Sequence, residues 1–196
     1  MKKKIFLTIN FILIILLFII ETKYNKEITS FDMSISSYIW SLRTPFLTRL
    51  MKLITFLASS KFIIGTLLIY ILLKRDYIYP LNLSINAILN HVLKKIFKRP
   101  RPSNILVIEK SHSFPSGHSM AAVSFYGYLI YMILKSKINR IYKILLTIVL
   151  VIIILLIGFS RIYLGAHYFS DVICGFLISI EYLIIFISIS NRVTKK

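Results

Sequence analysis

The chain has 196 residues, is 57% hydrophobic and has a mean hydropathy of +0.79, which sets it apart from soluble globular proteins. Its length is that of one domain, and its long apolar runs indicate an integral membrane protein. A formal charge of +18 would suggest nucleic acid in a soluble protein, but these cations fall mostly at the ends of apolar runs. We therefore predict no nucleic-acid partner. The only cysteine, Cys174, lies within the last apolar run, so an intrachain disulfide is excluded.

Six apolar runs predict an all-α bundle of six transmembrane helices, forming a single domain over residues 1–196. The first run follows three lysines and lacks a small-residue cleavage site after it, so we interpret it as an uncleaved membrane helix. The predicted membrane runs are residues 5–20, 55–73, 77–93, 118–134, 144–159 and 168–189.

Between the first two runs, the segment from Phe31 to Leu50 mixes large apolar side chains with charged and hydroxyl ones. This mixture is typical of an amphipathic helix lying in the membrane interface, and Pro45 is expected to break it. The apolar stretch after it is too short to cross a bilayer, so the second helix is expected to extend back through Ser59 toward Leu53.

The third run is unusually polar for a membrane helix, which predicts that it faces the bundle interior. Its polar residues are Asn82, Ser84, Asn86, Asn90 and His91.

Six crossings place both termini on one side of the membrane, together with Lys74, Arg75 and the basic loop at 135–143. The positive-inside rule makes that side the cytoplasm of a cytoplasmic-membrane protein. The basic loop at 94–110 then lies outside, against the rule. We interpret its cations as parts of an outward-facing site.

Three polar clusters are predicted at that outer level, and the first is Lys94 with Arg101. Lys94 would close the third helix, while Pro100 and Pro102 force the following chain into an extended path. The two cations could therefore converge on one anion. Taken alone, the segment could equally be a basic loop beside the membrane.

The second cluster opens the fourth helix. Ser116 is a natural N-cap, and Gly117 would let an anion approach the free amides of the first turn. His118 is placed to give a proton to a leaving oxygen. Alone, the cluster could be a plain N-cap with an interfacial histidine.

The third cluster joins the fifth and sixth runs. If the residues after Gly165 are helical, His167 and Asp171 stand four apart and share a face, so the carboxylate can hold one ring nitrogen and leave the other free. Arg161, after Ser160, offers a fork of donors suited to phosphate. Separately these could be a structural hydrogen bond and an interfacial anchor.

Together the three clusters resemble the type 2 phosphatidic acid phosphatases, whose pattern is Lys-x6-Arg-Pro, then Pro-Ser-Gly-His, then Ser-Arg-x5-His-x3-Asp. The motifs span Lys94 to Asp171, and the six-helix layout extends the likeness to nearly the whole chain. The matching residues are Lys94, Arg101, Pro102, Pro115, Ser116, Gly117, His118, Ser160, Arg161, His167 and Asp171.

The resemblance implies metal-independent hydrolysis of a lipid phosphate or pyrophosphate through a phosphohistidine, without a cofactor. It makes His167 the nucleophile, oriented by Asp171, and His118 the group that protonates the departing lipid oxygen and then activates water. A rate that falls on the alkaline side is therefore expected. The implied phosphate-binding residues are Lys94, Arg101, Ser116, Gly117 and Arg161.

The resemblance favours undecaprenyl pyrophosphate as substrate, with phosphatidylglycerophosphate or phosphatidic acid as alternatives. A lipid phosphotransferase could use the same intermediate. A vanadate-dependent haloperoxidase would share the pocket, but those enzymes are large and soluble. A lipid transporter is disfavoured because transport sites usually lie near the bilayer midplane between repeats, and no repeat is seen.

The other histidines are expected to stay outside the chemistry. His91 is predicted to make a bundle hydrogen bond rather than line the pocket, and His112 to be a solvated loop residue. A metal site is disfavoured because only Asp171 and Glu109 could add carboxylates, and the surrounding cations would repel a divalent ion.

Overall fold

The computed structural model describes residues 8–12, 14–15, 18–19 and 25–193, and regular secondary structure in that part of the chain is helical. The first predicted run, residues 5–20, lies only partly within the described residues, which are helical there. The further helices are α1 (Asn25–Ser41), α2 (Pro45–Phe56), α3 (Ser60–Lys74), α4 (Ile78–Phe97), α5 (Gly117–Lys135), α6 (Arg140–Tyr163) and α7 (Phe169–Val193). The all-α prediction is confirmed.

Two of these helices have the length and composition of membrane spans. Within the described residues, α6 and α7 are each long and apolar enough to cross a membrane, with mean hydropathies of 2.9 and 2.5. Helices α2 and α3 would pass the same test together, with a bend of 40° at their junction. The chain is therefore membrane-embedded, and the count of six crossings stays a prediction.

The region between the first two predicted crossings agrees with the sequence prediction at Pro45 and differs from it at Ser59. The helix is interrupted before Pro45 as predicted, since α1 ends at Ser41 and Pro45 begins α2, which Thr44 caps by accepting a hydrogen bond from the Leu47 amide at 3.2 Å. Ser59 likewise caps α3, accepting from the Phe62 amide at 3.3 Å. The continuous helix predicted through Ser59 is therefore not formed, and the chain bends there.

Helix α5 lies at the centre and packs against α4, α6 and α7. Three of the polar residues of α4, Asn82, Asn86 and Asn90, face this bundle as predicted, while Ser84 and His91 are exposed. Asn82 donates to the Ser124 carbonyl at 3.0 Å, and Asn86 donates to the Ser179 hydroxyl at 2.8 Å. These bonds pair the buried amide nitrogens of both side chains, and they fix α4 relative to α5 and α7.

A tight turn between α6 and α7 brings the loop at 98–116 onto the bundle end. Gly165 has a φ of 69°, and a Cβ there would lie 2.0 Å from the Asn104 carbonyl oxygen. The Leu106 amide also donates to the Leu164 carbonyl at 2.9 Å. Glycine at this turn therefore permits the loop to lie directly against it, which places the loop's cations beside His167.

Candidate active site

The three clusters predicted from the sequence meet at one end of the bundle. Lys94 closes α4, Gly117 opens α5, Arg161 is in the last turn of α6 and Asp171 is in the first turn of α7. A cavity of about 430 Å³ opens among them. Its charged and polar lining includes Lys94, Arg101, Glu109, Ser111, His118 and His167.

His167 and Asp171 come together, although not on one helix face as predicted. Helix α7 begins only at Phe169, so His167 lies in the turn before it. The Asp171 carboxylate reaches back to this turn, where Oδ2 accepts from the Tyr168 amide at 2.9 Å and lies 3.5 Å from His167 Nδ1. The predicted pair is therefore present, built by a turn and a helix N-terminus.

Burial keeps His167 neutral. Its side chain is 2% exposed, and this burial lowers the pKa of His167 to about 4. The negative charge of Asp171 raises the pKa, but it does not outweigh desolvation together with the positive charges of Arg161 and Arg101. Its other ring nitrogen, Nε2, lies 3.3 Å from Arg101 Nη1 at the cavity. A neutral imidazole with one nitrogen facing a cationic cavity can act as a nucleophile.

The two arginines are held by carbonyl, hydroxyl and carboxylate oxygens. Arg101 donates to the Ala166 carbonyl at 2.6 Å, and Arg161, which is 1% exposed, donates to the Thr55 hydroxyl at 2.7 Å. Both guanidiniums also contact Glu109, Arg101 at 3.3 Å and Arg161 more closely. Arg161 therefore reaches the cavity through Glu109 and is not itself part of its wall.

Glu109 is a site residue, although the sequence motifs indicated no role for it beyond a possible metal ligand. Its carboxylate lines the cavity and bridges the two guanidiniums that the resemblance assigns to phosphate. Burial would raise the pKa of Glu109, but Arg161 and Arg101 outweigh this and hold the pKa below its ordinary value. The charged carboxylate is therefore an anion already bound to phosphate-type donors.

The Ser116 cluster has the predicted cap geometry. The Ser116 hydroxyl oxygen accepts from the Ser119 amide at 3.3 Å, and the Ser116 amide donates to the Asp171 carbonyl at 3.0 Å. Gly117 and half-buried His118 line the cavity. This bond to Asp171 fixes the start of α5, and with it His118, to the start of α7.

Lys94 and the two remaining histidines complete the set of sequence candidates. Lys94 is buried, lines the cavity and donates to the His112 carbonyl. The His112 side chain is exposed, as predicted for a loop residue. His91 is exposed on α4, so the bundle hydrogen bond expected for it is not observed.

The site also includes residues that no sequence motif marked. Asp32 of α1 and Arg99 of the loop form an ion pair that extends to Asp171. Nothing in their local sequence distinguishes them from an ordinary interfacial acid and a loop cation. Only their burial beside Asp171 reveals a connection to the site.

Comparisons with known proteins find relatives over most of the chain. The family model described as the PAP2 superfamily matches residues 77–195. Phosphatidylglycerophosphatase B of Bacillus subtilis (strain 168) is 34% identical over 166 residues, covering 78% of this chain and 80% of that protein.

Two solved structures share the architecture. The crystal structure of a transmembrane PAP2 type phosphatidylglycerolphosphate phosphatase from Bacillus subtilis matches with a TM-score of 0.85 and 29% identity, covering 95% of this chain and 96% of that one. The crystal structure of Aquifex aeolicus LpxE matches with a TM-score of 0.66 and 27% identity, covering 80% of this chain and 94% of that one. The three motifs, the helix ends that carry them and these matches together show that the chain belongs to the PAP2 superfamily.

Proposed function

We propose that this protein is a membrane lipid phosphatase, which hydrolyses a lipid phosphomonoester or pyrophosphate through a phosphohistidine on His167. The observation that carries the proposal is one cavity lined by the buried His167 together with His118 and the cations Lys94 and Arg101. Phosphoryl transfer needs mainly positioning and stabilisation of charge, and this arrangement supplies both. The phosphatase names of the relatives support the same reaction class.

In the proposed first step, His167 Nε2 attacks phosphorus, and the bond from phosphorus to the lipid oxygen breaks as the new N–P bond forms. Protonated His118 gives its proton to that departing oxygen. In the second step, His118 takes a proton from water, whose oxygen attacks phosphorus and breaks the N–P bond. Phosphate leaves, and His167 and protonated His118 are restored. Asp171 stabilises the imidazolium character of His167 between the two steps.

The proposed phosphate ligands surround this position. Lys94 and Arg101 line the cavity, and Arg161 stands behind Glu109. The amide of Gly117 at the start of α5 adds a donor with the favourable helix dipole. These groups would hold the three oxygens that do not react.

The rest of the cavity wall supports the proposal that the substrate is a lipid. Helices α3 and α4 supply most of the apolar side chains of the wall, with single alanines from α5 and from the chain before α3. Apolar lining of this kind suits a hydrocarbon chain and has no role for a free sugar phosphate. The apolar lining residues are Ala58, Ile63, Ile64, Leu67, Leu83, Ala87 and Ala121.

The proposal is tested by phosphate release from a panel of lipids by the detergent-purified protein. The panel contains phosphatidylglycerophosphate, which the names of the relatives favour, undecaprenyl pyrophosphate, which the sequence resemblance favours, and phosphatidic acid. We expect release to continue in the presence of EDTA, because the chemistry assigned here uses only side chains. Absence of release from every lipid would contradict the proposed function, and loss of release in EDTA would contradict metal independence.

We further propose that the single domain crosses the cytoplasmic membrane six times, with both termini inside, α1 in the interface and the site outside. The excess of cations in the 135–143 loop supports this orientation. Cysteines introduced at Lys110 and Lys137 distinguish the two sides in intact cells. An impermeant maleimide is expected to label position 110 and not position 137; the reverse pattern would invert the topology.

The Glu109→Gln variant is expected to bind oxyanions more tightly. The glutamine keeps the shape of the side chain but no longer brings a negative charge that competes with phosphate for Arg101 and Arg161. We expect the inhibition constant of orthovanadate to fall about tenfold, equivalent to about 1.4 kcal/mol. Glu27→Gln, which removes an exposed carboxylate from α1, is the matched control. Equal or weaker inhibition in Glu109→Gln would show that Glu109 does not compete for these donors.

Narrowing the apolar part of the cavity is expected to select against long lipids. Ala87→Phe places a ring between α3 and α4, so we expect KM for a long-chain lipid phosphate to rise about tenfold. Hydrolysis of soluble p-nitrophenyl phosphate should change little, because that substrate does not use this wall. Ile88→Phe adds a ring at the next position, which is 64% exposed, and serves as control. Equal losses with both substrates would exclude this wall as the lipid site.

A further inference from the structure

A buried chain of charges lies behind the His167–Asp171 pair, outside the cavity. Arg99 Nη1 is 2.8 Å from Asp171 Oδ1, and Arg99 Nη2 is 2.8 Å from Asp32 Oδ2. Arg99 is 3% exposed, and both carboxylates are fully buried. Asp32 belongs to α1, so this network connects the N-terminal part of the described chain to the start of α7.

Asp32 also holds the residue next to Asp171. Its Oδ1 accepts from the Ser170 amide at 2.9 Å, and its Oδ2 accepts from the Ser170 hydroxyl at 2.5 Å. The Arg99 guanidinium donates to the same hydroxyl at 2.7 Å and lies 4.3 Å from the ring centre of Tyr168. The first turn of α7 is therefore fixed on several sides by this pair.

Stability alone is a poor explanation for such a network. Removing three charges from water costs several kcal/mol per ion, and buried ion pairs can often be replaced by apolar residues without loss of stability. The geometry gives a more specific explanation, because Arg99 occupies Asp171 Oδ1. The other oxygen, Oδ2, accepts from the Ser113 hydroxyl and the Tyr168 amide and lies 3.5 Å from His167 Nδ1.

We propose that Asp32 and Arg99 are positioning residues, which set the orientation and the effective charge of the Asp171 carboxylate that acts on His167. The importance of this pair for turnover rests on the proposed function of His167. Arg99 offsets part of the Asp171 charge, and Asp32 in turn offsets part of the Arg99 charge. The two residues therefore act on His167 with opposite signs.

This alternation of charge predicts opposite effects for two variants that break the same ion pair. In Arg99→Gln, the carboxylate of Asp171 loses its positive neighbour, which should raise the pKa of His167. In Asp32→Asn, the unopposed charge of Arg99 acts more strongly on Asp171, which should lower the pKa of His167. A purely structural pair would give both variants the same defect.

The experiment is an NMR titration of His167 in the full-length, detergent-solubilised protein with labelled histidine. The His167 signal is assigned as the one that is absent from the spectrum of His167→Gln. Burial and the two neighbouring arginines, partly offset by Asp171, lower the pKa of His167 to about 4, so the variants are compared with the wild type. The other charged groups facing His167 stay the same in every sample. They are Lys94, Arg101, Glu109, His118 and Arg161.

We expect the titration midpoint to move by about one pH unit upward in Arg99→Gln and downward in Asp32→Asn. The double variant Asp32→Asn/Arg99→Gln should titrate near the wild type, because it removes one charge of each sign. Glu27→Gln and Lys95→Gln remove exposed charges from α1 and α4 and are the controls. Unchanged midpoints, or midpoints that move in the same direction in both single variants, would overturn the proposal.

A second variant keeps the proposal falsifiable if a single variant fails to fold. Arg99→Lys retains the positive charge but cannot bridge two carboxylates as a guanidinium does. We expect its midpoint to match the wild type while kcat falls about tenfold and KM stays constant, because neither Asp32 nor Arg99 lines the cavity. An unchanged kcat would overturn the positioning role.

The titration requires no turnover, so it separates the two proposals. A protein that releases no phosphate from any lipid would contradict the proposed function, while opposite midpoint shifts would still establish the action of Asp32 and Arg99 on His167. Normal phosphatase activity with unchanged midpoints would contradict only the inference about this pair.

Discussion

Replacing His167 with alanine is expected to lower phosphate release by at least about 10⁴-fold, the size of effect seen when an enzyme loses the nucleophile of a covalent mechanism. His167 is the neutral, buried imidazole at the cavity, with Asp171 on one nitrogen and the reacting position at the other. Alanine leaves nothing to attack phosphorus. The binding cations remain, so the substrate should still bind.

Two measurements check this expectation. Phosphate release from the best lipid of the panel gives the loss of rate. Reaction with radiolabelled substrate, quenched rapidly without acid, should trap a phosphoprotein in the wild type and none in His167→Ala. The trapped phosphate should be released by acid, as expected for a phosphoramidate. His91→Ala removes an exposed histidine of α4 and should behave as the wild type. A labelled phosphoprotein in His167→Ala would assign the nucleophile to another residue.

Replacing His118 with glutamine is expected to lower turnover of a lipid phosphate by about 10²- to 10⁴-fold, the usual contribution of general acid catalysis. A lipid alkoxide is a poor leaving group and needs the proton that His118 donates. The p-nitrophenolate ion is a good leaving group and does not. In single-turnover experiments, formation of the phosphohistidine from p-nitrophenyl phosphate should therefore be nearly unaffected in His118→Gln.

The pH profile gives a second test of the same role. Protonated His118 is the active form in the first step, so the wild-type rate on a lipid phosphate should fall as pH rises. This alkaline loss should be absent from phosphohistidine formation in His118→Gln. Similar losses for both leaving groups would show that His118 positions the substrate and does not supply its proton. A flat wild-type profile up to strongly alkaline pH would contradict the same assignment.

The sequence by itself determined the class of the protein and the residues of the motifs. Apolar runs that end in cations define helices, and Ser116 and Lys94 mark a helix start and a helix end because capping and charge act within one or two turns. A helix is observed at the predicted fourth run, as α5, and the asparagines of α4 face the bundle as predicted, for the same reason. These features can be predicted from the sequence because they depend on residues that are close together in the chain.

Some local predictions were wrong where a neighbouring cap overrode composition. The apolar pattern around Ser59 suggested one helix, but Thr44 and Ser59 cap two separate helices and bend the chain. The i,i+4 spacing of His167 and Asp171 suggested one helix face, yet the pair forms across a turn that depends on Gly165. Spacing correctly indicated that the two side chains meet but not the backbone that brings them together.

Only the tertiary structure decided which charges act on the site. The bridge from Glu109 to Arg101 and Arg161, and the chain from Asp171 through Arg99 to Asp32, join side chains on different helices and loops. Composition identifies the charges, but their energies depend on burial and on distances of a few ångströms. Those quantities are set by helix packing, since the packing removes water from between the charges and strengthens their interaction.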